Sequence, residues 1–262
     1  MKRLIYTFLA IVLTGGCALV VLVAAPALGL RDRDGAEVAL IIDLSRQPPQ
    51  DPNPYITEYE RMLYPTVRIK TGNSTGSGVI FYHEGTKDTK NIYVLTASHV
   101  VGDNSDVRCE IWDGDGYPPD GRAGTIYDAR VVITDTLKDL ALITIHNSSL
   151  ITHTYSATLA PRNYTPYLFR PVYTIGCSLG LTPRPSQGII SVIEDTYWEV
   201  SSPILPGNSG GPVYDSKTFE VIGIAVWVRI YKDQLITTMG GIVPINQVYE
   251  FLESIESKKL RK

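Results

Sequence analysis

The stretch Pro206-Gly207-Asn208-Ser209-Gly210-Gly211-Pro212 places one hydroxyl between small residues, in a segment too glycine-rich and proline-bounded for helix or regular strand. Glycine admits positive φ and close backbone approach. Such a turn can hold the Ser209 side chain outward while its own N–H groups converge on one small concavity. Acyl transfer needs that combination of an activated nucleophile and oxyanion donors. Short Gly/Ser runs are also common in inert loops, so the chemistry depends on whether a base and an orienting carboxylate exist elsewhere.

Of the four histidines, His83 stands beside a hairpin-turn signal, and His146 and His153 flank the loop Asn147–Thr152; these read as surface or loop residues. A zinc site built from them would need ligands converging from unrelated turns, and the sequence has no short-spaced pair on one element. His99 differs. In Val94-Leu95-Thr96-Ala97-Ser98-His99-Val100-Val101 it directly follows an apolar strand and lies next to small residues, which suits an imidazole held at a barrel rim. A carboxylate that accepts the imidazole Nδ1–H must become buried. Asp139 opens the apolar run Leu140-Ala141-Leu142-Ile143, where burial begins. Asp135, in the polar turn Thr134-Asp135-Thr136, is its rival.

Short strands must position these residues. β-branched and aromatic runs separated by turn residues fall near 66–70, 77–82, 91–96, 107–112, 123–134 and 140–146. A second set follows near 172–177, 187–193, 197–201, 212–214, 220–231 and 236–244. Two sets of six predict an all-β protein of two packed six-stranded antiparallel β-barrels, about 62–160 and 161–245. Only the end reads as helix, over 246–258, with Val248, Phe251, Leu252 and Ile255 on one face.

The 262 residues carry a net charge of −3 and 44% hydrophobic content, and the sequence shows no concentrated basic face. Nucleic acid is therefore not an expected partner. Cys17, Cys109 and Cys177 have no metal-type spacing, and whether Cys109 and Cys177 form a bridge is open. Lys2 and Arg3 precede the uncharged run Leu4–Leu30, longer than the roughly 20 residues that span a bilayer. Residues 1–30 are expected to be a retained membrane anchor with the N-terminus inside; Ala25-Pro26-Ala27 offers the alternative of a cleaved export signal. Both place the remainder outside the cytoplasm. Residues 31–61 read as a spacer, with four prolines in Gln47–Pro54 favouring extended chain. The apolar patch Val38–Ile42 within it has no assigned role.

His99, Asp139 and Ser209, in that order and each in its motif, resemble the trypsin-like serine peptidases of the chymotrypsin double-barrel fold, and more closely the bacterial HtrA/Deg type. Gly76-Ser77-Gly78-Val79-Ile80, Thr96–Val101, Asp139–Leu142, Ile175–Gly180 with Gly188–Ser191, Pro206–Pro212 and Gly241–Asn246 are similar to that family's successive motifs. The resemblance covers roughly Leu63 to Glu256. It implies serine endopeptidase activity on protein or peptide substrates without metal or cofactor. Ser209 would be nucleophile, His99 base and Asp139 orienter, with an oxyanion hole at Gly207, Asn208 and Ser209 in which the Gly207 and Ser209 N–H groups donate and Asn208 helps to shape the turn. It also places Val226, Trp227 and Val228 along a substrate pocket with Pro203 and Ile204 at its base. Val228 stands where digestive relatives have glycine, and the base carries no charge, which implies a small or medium apolar residue before the scissile bond.

Three departures from the family accompany the resemblance. The family usually carries PDZ modules after the protease and this sequence ends at Lys262 with none, so regulation or assembly through one is not expected; oligomeric state is open. Cys177 stands where the family often has Asn. Asn208 replaces the Asp that pairs with a new N-terminal ammonium in zymogens, so no such activation step is expected. Three rival functions are a protease fold that binds without cutting, a Cys177–His99 cysteine hydrolase, and acyl transfer to an acceptor other than water.

Overall fold

The computed structural model describes residues 20–23, 40–43, 58–72, 74–85, 90–112, 124–146 and 155–257. Two compact units divide the chain, residues 1–46 and 47–262. In the first, β1 (Val20–Val23) pairs antiparallel with β2 (Leu40–Asp43), Val20 opposite Asp43. The β-branched content of Val20-Val21-Leu22-Val23 suits a strand, and the apolar patch of the spacer supplies its partner. The expected anchor or signal over residues 1–30 thus meets a strand at Val20–Val23, and the rest of that run lies outside the described residues. Among the described residues no helix is long and apolar enough to cross a membrane. The Pro-rich piece 47–54, residues 113–119, His153 and residues 258–262 also lie outside them.

The first described element of the second unit is a wide helical turn, Tyr59–Leu63, whose Met62 and Leu63 are buried. The Met62 carbonyl accepts from Thr66 Oγ1 at 2.9 Å and from the Tyr214 hydroxyl at 3.0 Å, so the lead-in is tied to both sheets that follow. The first sheet contains β3 (Thr66–Thr71), β4 (Ser74–Gly85), β5 (Lys90–Thr96), β6 (Asp106–Ile111), β7 (Thr125–Asp135) and β8 (Leu140–Ile145). It closes in the order β3-β4-β5-β8-β7-β6. The second contains β9 (Pro171–Gly176), β10 (Arg184–Ile193), β11 (Trp198–Val200), β12 (Pro212–Asp215), β13 (Val221–Tyr231) and β14 (Gln234–Pro244). It closes in the order β10-β11-β14-β13-β12-β9. Counted from the first strand of each, both barrels run first, second, third, sixth, fifth, fourth. The all-β, double six-stranded architecture read from the sequence is the one observed.

Closure leaves no unpaired sheet edge and turns alternate side chains inward. Val67, Ile69, Ile80 and Val94 share one face of the first sheet and Val79, Leu95 and Leu142 the other, and all are fully buried, as are Val172, Ile190, Val213, Ile224 and Ile242 of the second. Each such side chain contributes about 1.5–3 kcal/mol relative to exposure. Lys232 and Asp233, at φ 49° and 62°, make the two-residue turn between β13 and β14, and this left-handed pair matches the twist of the hairpin. The last element, α2 (Ile245–Ser257), buries Val248, Phe251, Leu252 and Ile255, the face that the sequence periodicity picks out. Cys109 and Cys177 are both buried free thiols, so no bridge joins the barrels.

Candidate active site

His99 rides on α1 (Ser98–Val101), a single helical turn that follows β5. Its ring Nδ1 lies 2.7 Å from Asp139 Oδ2, and its backbone N–H donates to Asp139 Oδ1 at 3.0 Å. The Ser98 hydroxyl donates to the same Oδ1 at 2.8 Å. Burial alone would raise the Asp139 pKa, but the His99 ring, the His99 N–H and the Ser98 hydroxyl outweigh it and hold the carboxyl below the ordinary range. Asp139 therefore stays ionised, favouring the tautomer with the proton on Nδ1 and Nε2 as the available acceptor. The His99 side chain is 47% exposed, so the ring edge opposite Asp139 is accessible to a substrate.

Asp139 sits at φ 54°, a costly region for a non-glycine residue that persists where the surroundings over-determine it. Asp135 provides part of that constraint: its Oδ1 accepts from the N–H groups of Leu137 and Lys138, each at 3.0 Å. Lys138 then reaches α2, with Nζ 2.5 Å from Gln247 Oε1 and 2.8 Å from Glu250 Oε2. The geometry thus separates the two candidate carboxylates: Asp135 shapes the turn, and Asp139 holds the imidazole.

The turn carrying Ser209 lies between β11 and β12, and its backbone groups can be followed one by one. The Pro206 carbonyl accepts from Leu179 N–H at 2.7 Å, and the Asn208 carbonyl from Gly211 N–H at 2.9 Å. The Gly207 carbonyl accepts from Ser77 Oγ at 2.6 Å, and the Ser209 carbonyl from Ser77 N–H at 2.8 Å. Asn208 N–H donates to Leu205 O at 2.9 Å and Gly210 N–H to Ala225 O at 2.6 Å. Every carbonyl from Pro206 to Ser209 is fixed, and the two N–H groups without a hydrogen bond among the described residues are those of Gly207 and Ser209. Two unpaired donors on the fixed alternate peptides 206–207 and 208–209 are what an oxyanion hole requires. Asn208, grouped with them on sequence grounds, is not a donor there. Its N–H is committed to Leu205, its side chain is buried, and its Oδ1 accepts from Ser178 Oγ at 2.5 Å.

Gly207 and Gly210 are required at φ 97° and 83°. A Cβ at Gly207 would lie 2.4 Å from the Cys177 carbonyl; one at Gly210 would lie 2.1 Å from Thr96 Oγ1 and 2.9 Å from Ala97 N. The residue after Ser209 is thereby pressed against the strand end that leads into His99. His99 and Asp139 are bonded, and Ser209 is delivered to the same strand end. Its hydroxyl makes no hydrogen bond among the described residues. Links of this kind often tighten only when substrate is bound.

The pocket residues divide. Ile204 and Val226 are buried, and Trp227 and Val228 are half-buried. Ile204 packs so closely on Gly240 that a Cβ there would meet Ile204 Cδ1 at 2.3 Å, and Trp227 covers Gly241 in the same way. Trp227 is braced edge-on by Tyr197 at 5.5 Å and by Arg229, which lies over its ring at 5.7 Å and pairs with Glu199. Pro203 is exposed, with its carbonyl taking a hydrogen bond from Ser186, whereas its neighbour Ile204 is buried.

Ser77 and Arg68 carry structural weight that sequence reasoning did not assign. Arg68 donates to the Gly180 carbonyl and pairs with Glu110, tying the first barrel to the 178–180 turn that supports Asn208 and Pro206. A serine between two glycines in an apolar strand was the available signal for Ser77; nothing local marks Arg68. His83 and His146 lie apart from this cluster, bonded to Ser156 and Asn91. Cys177 is buried and its thiol pKa is pushed up to about 12 by that burial, which argues against the cysteine-hydrolase reading.

Two closed barrels of equal strand order, with a His–Asp pair on one and a glycine-bound serine turn on the other, define the class of double-barrel hydrolases. The sequence matches the family described as "Trypsin-like peptidase domain" over residues 76–224, and the chain belongs to that family. It is 29% identical over 206 residues to the Serine protease Do-like HtrA of Bacillus subtilis, covering 72% of this chain and 40% of that protein. It is 26% identical over 231 residues to a probable periplasmic serine endoprotease DegP-like of Pseudomonas fluorescens, covering 83% of this chain and 41% of that protein. The chain thus spans about two fifths of the length of these relatives. A crystal structure of the serine endoprotease from Yersinia pestis superposes with a TM-score of 0.59 at 23% identity, over 76% of this chain and 65% of that one, a likeness of fold.

Proposed function

We propose that the protein is a serine endopeptidase. In this reading His99 Nε2 takes the proton of Ser209 Oγ as the oxygen attacks a peptide carbonyl. The N–H groups of Gly207 and Ser209 receive the developing oxyanion, and His99 returns the proton to the leaving amine. Water then repeats the sequence on the acyl-enzyme. Asp139 keeps the ring oriented and stabilises the imidazolium. The single observation that carries the reading is the backbone accounting around Ser209, which leaves the N–H groups of Gly207 and Ser209 unpaired on a fixed turn. Losing one such donor typically costs ~3 kcal/mol of transition-state stabilisation.

Ile204, Val226, Trp227 and Val228 make the primary pocket apolar and shallow, favouring a small or medium apolar residue before the cut. Residues 1–30, as anchor or export signal, and the periplasmic description of the Pseudomonas relative both support extracytoplasmic protein processing or quality control. A fluorophosphonate probe tests the chemistry: wild-type full-length protein should label and Ser209→Ala should not. Equal labelling of both, or none of either, rejects the mechanism. Proteome-wide cleavage profiling against the same variant tests the pocket, and enrichment of Lys or Arg before the cut would reject it.

A further inference from the structure

Ser77 lies on β4 of the first barrel with 0% exposure, and each of its polar groups is engaged. Its N–H donates to the Ser209 carbonyl at 2.8 Å, and its hydroxyl donates to the Gly207 carbonyl at 2.6 Å. The hydroxyl oxygen also accepts from Cys177 N–H at 2.7 Å, and the Ser77 carbonyl accepts from Thr96 Oγ1 at 2.6 Å. Three of these bonds cross into the second barrel, two of them onto the Ser209 turn. The fourth runs to Thr96, two residues before the single helical turn that carries His99.

Among the bonds that fix the carbonyls from Pro206 to Ser209, the Ser77 hydroxyl is the one supplied by a side chain, so it is the one that a substitution can remove without altering the backbone. The site is shaped for a group of this size. A Cβ on Gly176 would lie 3.0 Å from Ser77 Oγ and one on Gly211 3.2 Å from Ser77 Cβ. We propose that Ser77 is a positioning residue of the peptidase: its hydroxyl and N–H clamp the 207–208 and 209–210 peptides, and so aim Ser209 and the neighbouring oxyanion donors. This rests on the serine-peptidase reading. Without the hydroxyl, the Gly207 carbonyl and the Cys177 N–H lose a buried partner together, and the 207–208 peptide is held by the Asn208 N–H to Leu205 bond alone, so the orientation of its carbonyl loosens. A displacement of about 1 Å at such a turn is enough for a loss of order 10² in rate.

The test compares full-length wild type with Ser77→Ala, Ser77→Cys and Thr66→Val. Thr66→Val deletes another buried hydroxyl-to-carbonyl bond of the first barrel, from Thr66 Oγ1 to Met62 O at 2.9 Å, that has no partner in the turn. An internally quenched peptide with valine before the scissile bond reports kcat and KM, and amide hydrogen exchange reports residues 205–211. Ser77→Ala should lower kcat about 10- to 100-fold with KM within about threefold, and speed exchange across 205–211. Ser77→Cys, similar in shape but a weaker donor, should fall between and carries the comparison if Ser77→Ala does not fold. Thr66→Val should leave kcat and that exchange unchanged. Unchanged exchange in Ser77→Ala, faster exchange with unchanged kcat, or an equal kcat loss in Thr66→Val overturns the proposal. Wild type inert to both the peptide and a fluorophosphonate rejects the peptidase reading and the catalytic role of Ser77 with it, while the exchange data still report whether the clamp exists.

Discussion

The two barrels share one strand order, yet equivalent connections in them carry different parts of the candidate site. The connection between third and fourth strands holds His99 in the first barrel and Ser209 in the second. The connection between fifth and sixth strands holds Asp139 in the first and only the Lys232–Asp233 hairpin turn in the second. The first barrel contributes side-chain chemistry, two titratable groups bonded to each other. The second contributes backbone geometry, a turn whose carbonyls are fixed so that two N–H groups remain unpaired. One barrel therefore depends on residue identity, and the other on the absence of side chains.

The largest expected effects follow from that division. Asp139→Asn keeps the shape and removes the charge, and by the logic of Ser-His-Asp sites it should lower kcat about 10⁴-fold with the fold intact. A loss of less than tenfold would show that Asp139 does not orient the base. In the second barrel the equivalent damage is steric. Gly210→Ala places a methyl 2.1 Å from Thr96 Oγ1 and 2.2 Å from the Ser77 carbonyl, at φ 83°. It should cost about 4 kcal/mol or more, read as a collapse of the denaturant midpoint. Gly102 is its counterpart in the first barrel, also at positive φ, but a Cβ there meets nothing nearer than Asn104 Nδ2 at 3.9 Å. Gly102→Ala should meet only the backbone cost of φ 55°, ψ −135°, about 1–3 kcal/mol. Equal penalties for the two alanines would erase the claimed asymmetry.

Legibility in the sequence follows the same line. His99, Asp139 and Ser209 stand out because the chemistry dictates residue type, and the strands stand out because β-branched runs alternate with turn residues. The clamp from Ser77 to Gly207 and Ser209 does not, since it ends on backbone carbonyls that every residue possesses, more than a hundred positions away in sequence. Arg68 on the Gly180 carbonyl is invisible for the same reason. Pro203 and Ile204 are neighbours of similar polarity, and only the folded turn decides which faces inward. Val20–Val23 lies in a run apolar enough for a membrane segment and β-branched enough for a strand, and composition alone does not choose between them.

A smaller effect is expected at Asn208. The residue is 2% exposed, and its side-chain oxygen is bonded to the uncharged Ser178 hydroxyl. Asn208→Asp would bury a carboxylate there and should lower stability by about 1–3 kcal/mol, measured by denaturant unfolding at pH 7. A stabilised variant would mean that a cation reaches this turn, and would reopen control by an N-terminal ammonium.

The smallest effect concerns acid stability, and it separates the reactive carboxylate from the structural ones. Burial would raise the pKa of Glu110, but Arg68, Lys70 and Gly124 N–H outweigh it; burial at Asp215 is outweighed by Tyr164, Lys217 N–H and Arg170. Asp139 is lowered as well, by His99 and Ser98 against burial. A carboxyl with a folded pKa below its unfolded value releases its proton more readily when folded. It therefore stabilises the protein fully above the unfolded value of ~4, and that contribution is lost as pH falls through the folded value. The Glu110 and Asp215 side chains are 1% and 0% exposed, whereas Asp139 is 30% exposed and partly screened by solvent. Unfolding free energy should therefore decline below about pH 5, with Asp215→Asn flattening the decline more than Asp139→Asn, although only the latter abolishes most of kcat. If Asp139→Asn flattened it as much, the catalytic carboxylate would also be a principal stabiliser of the first barrel, and the division between reactive and structural charges would fail there.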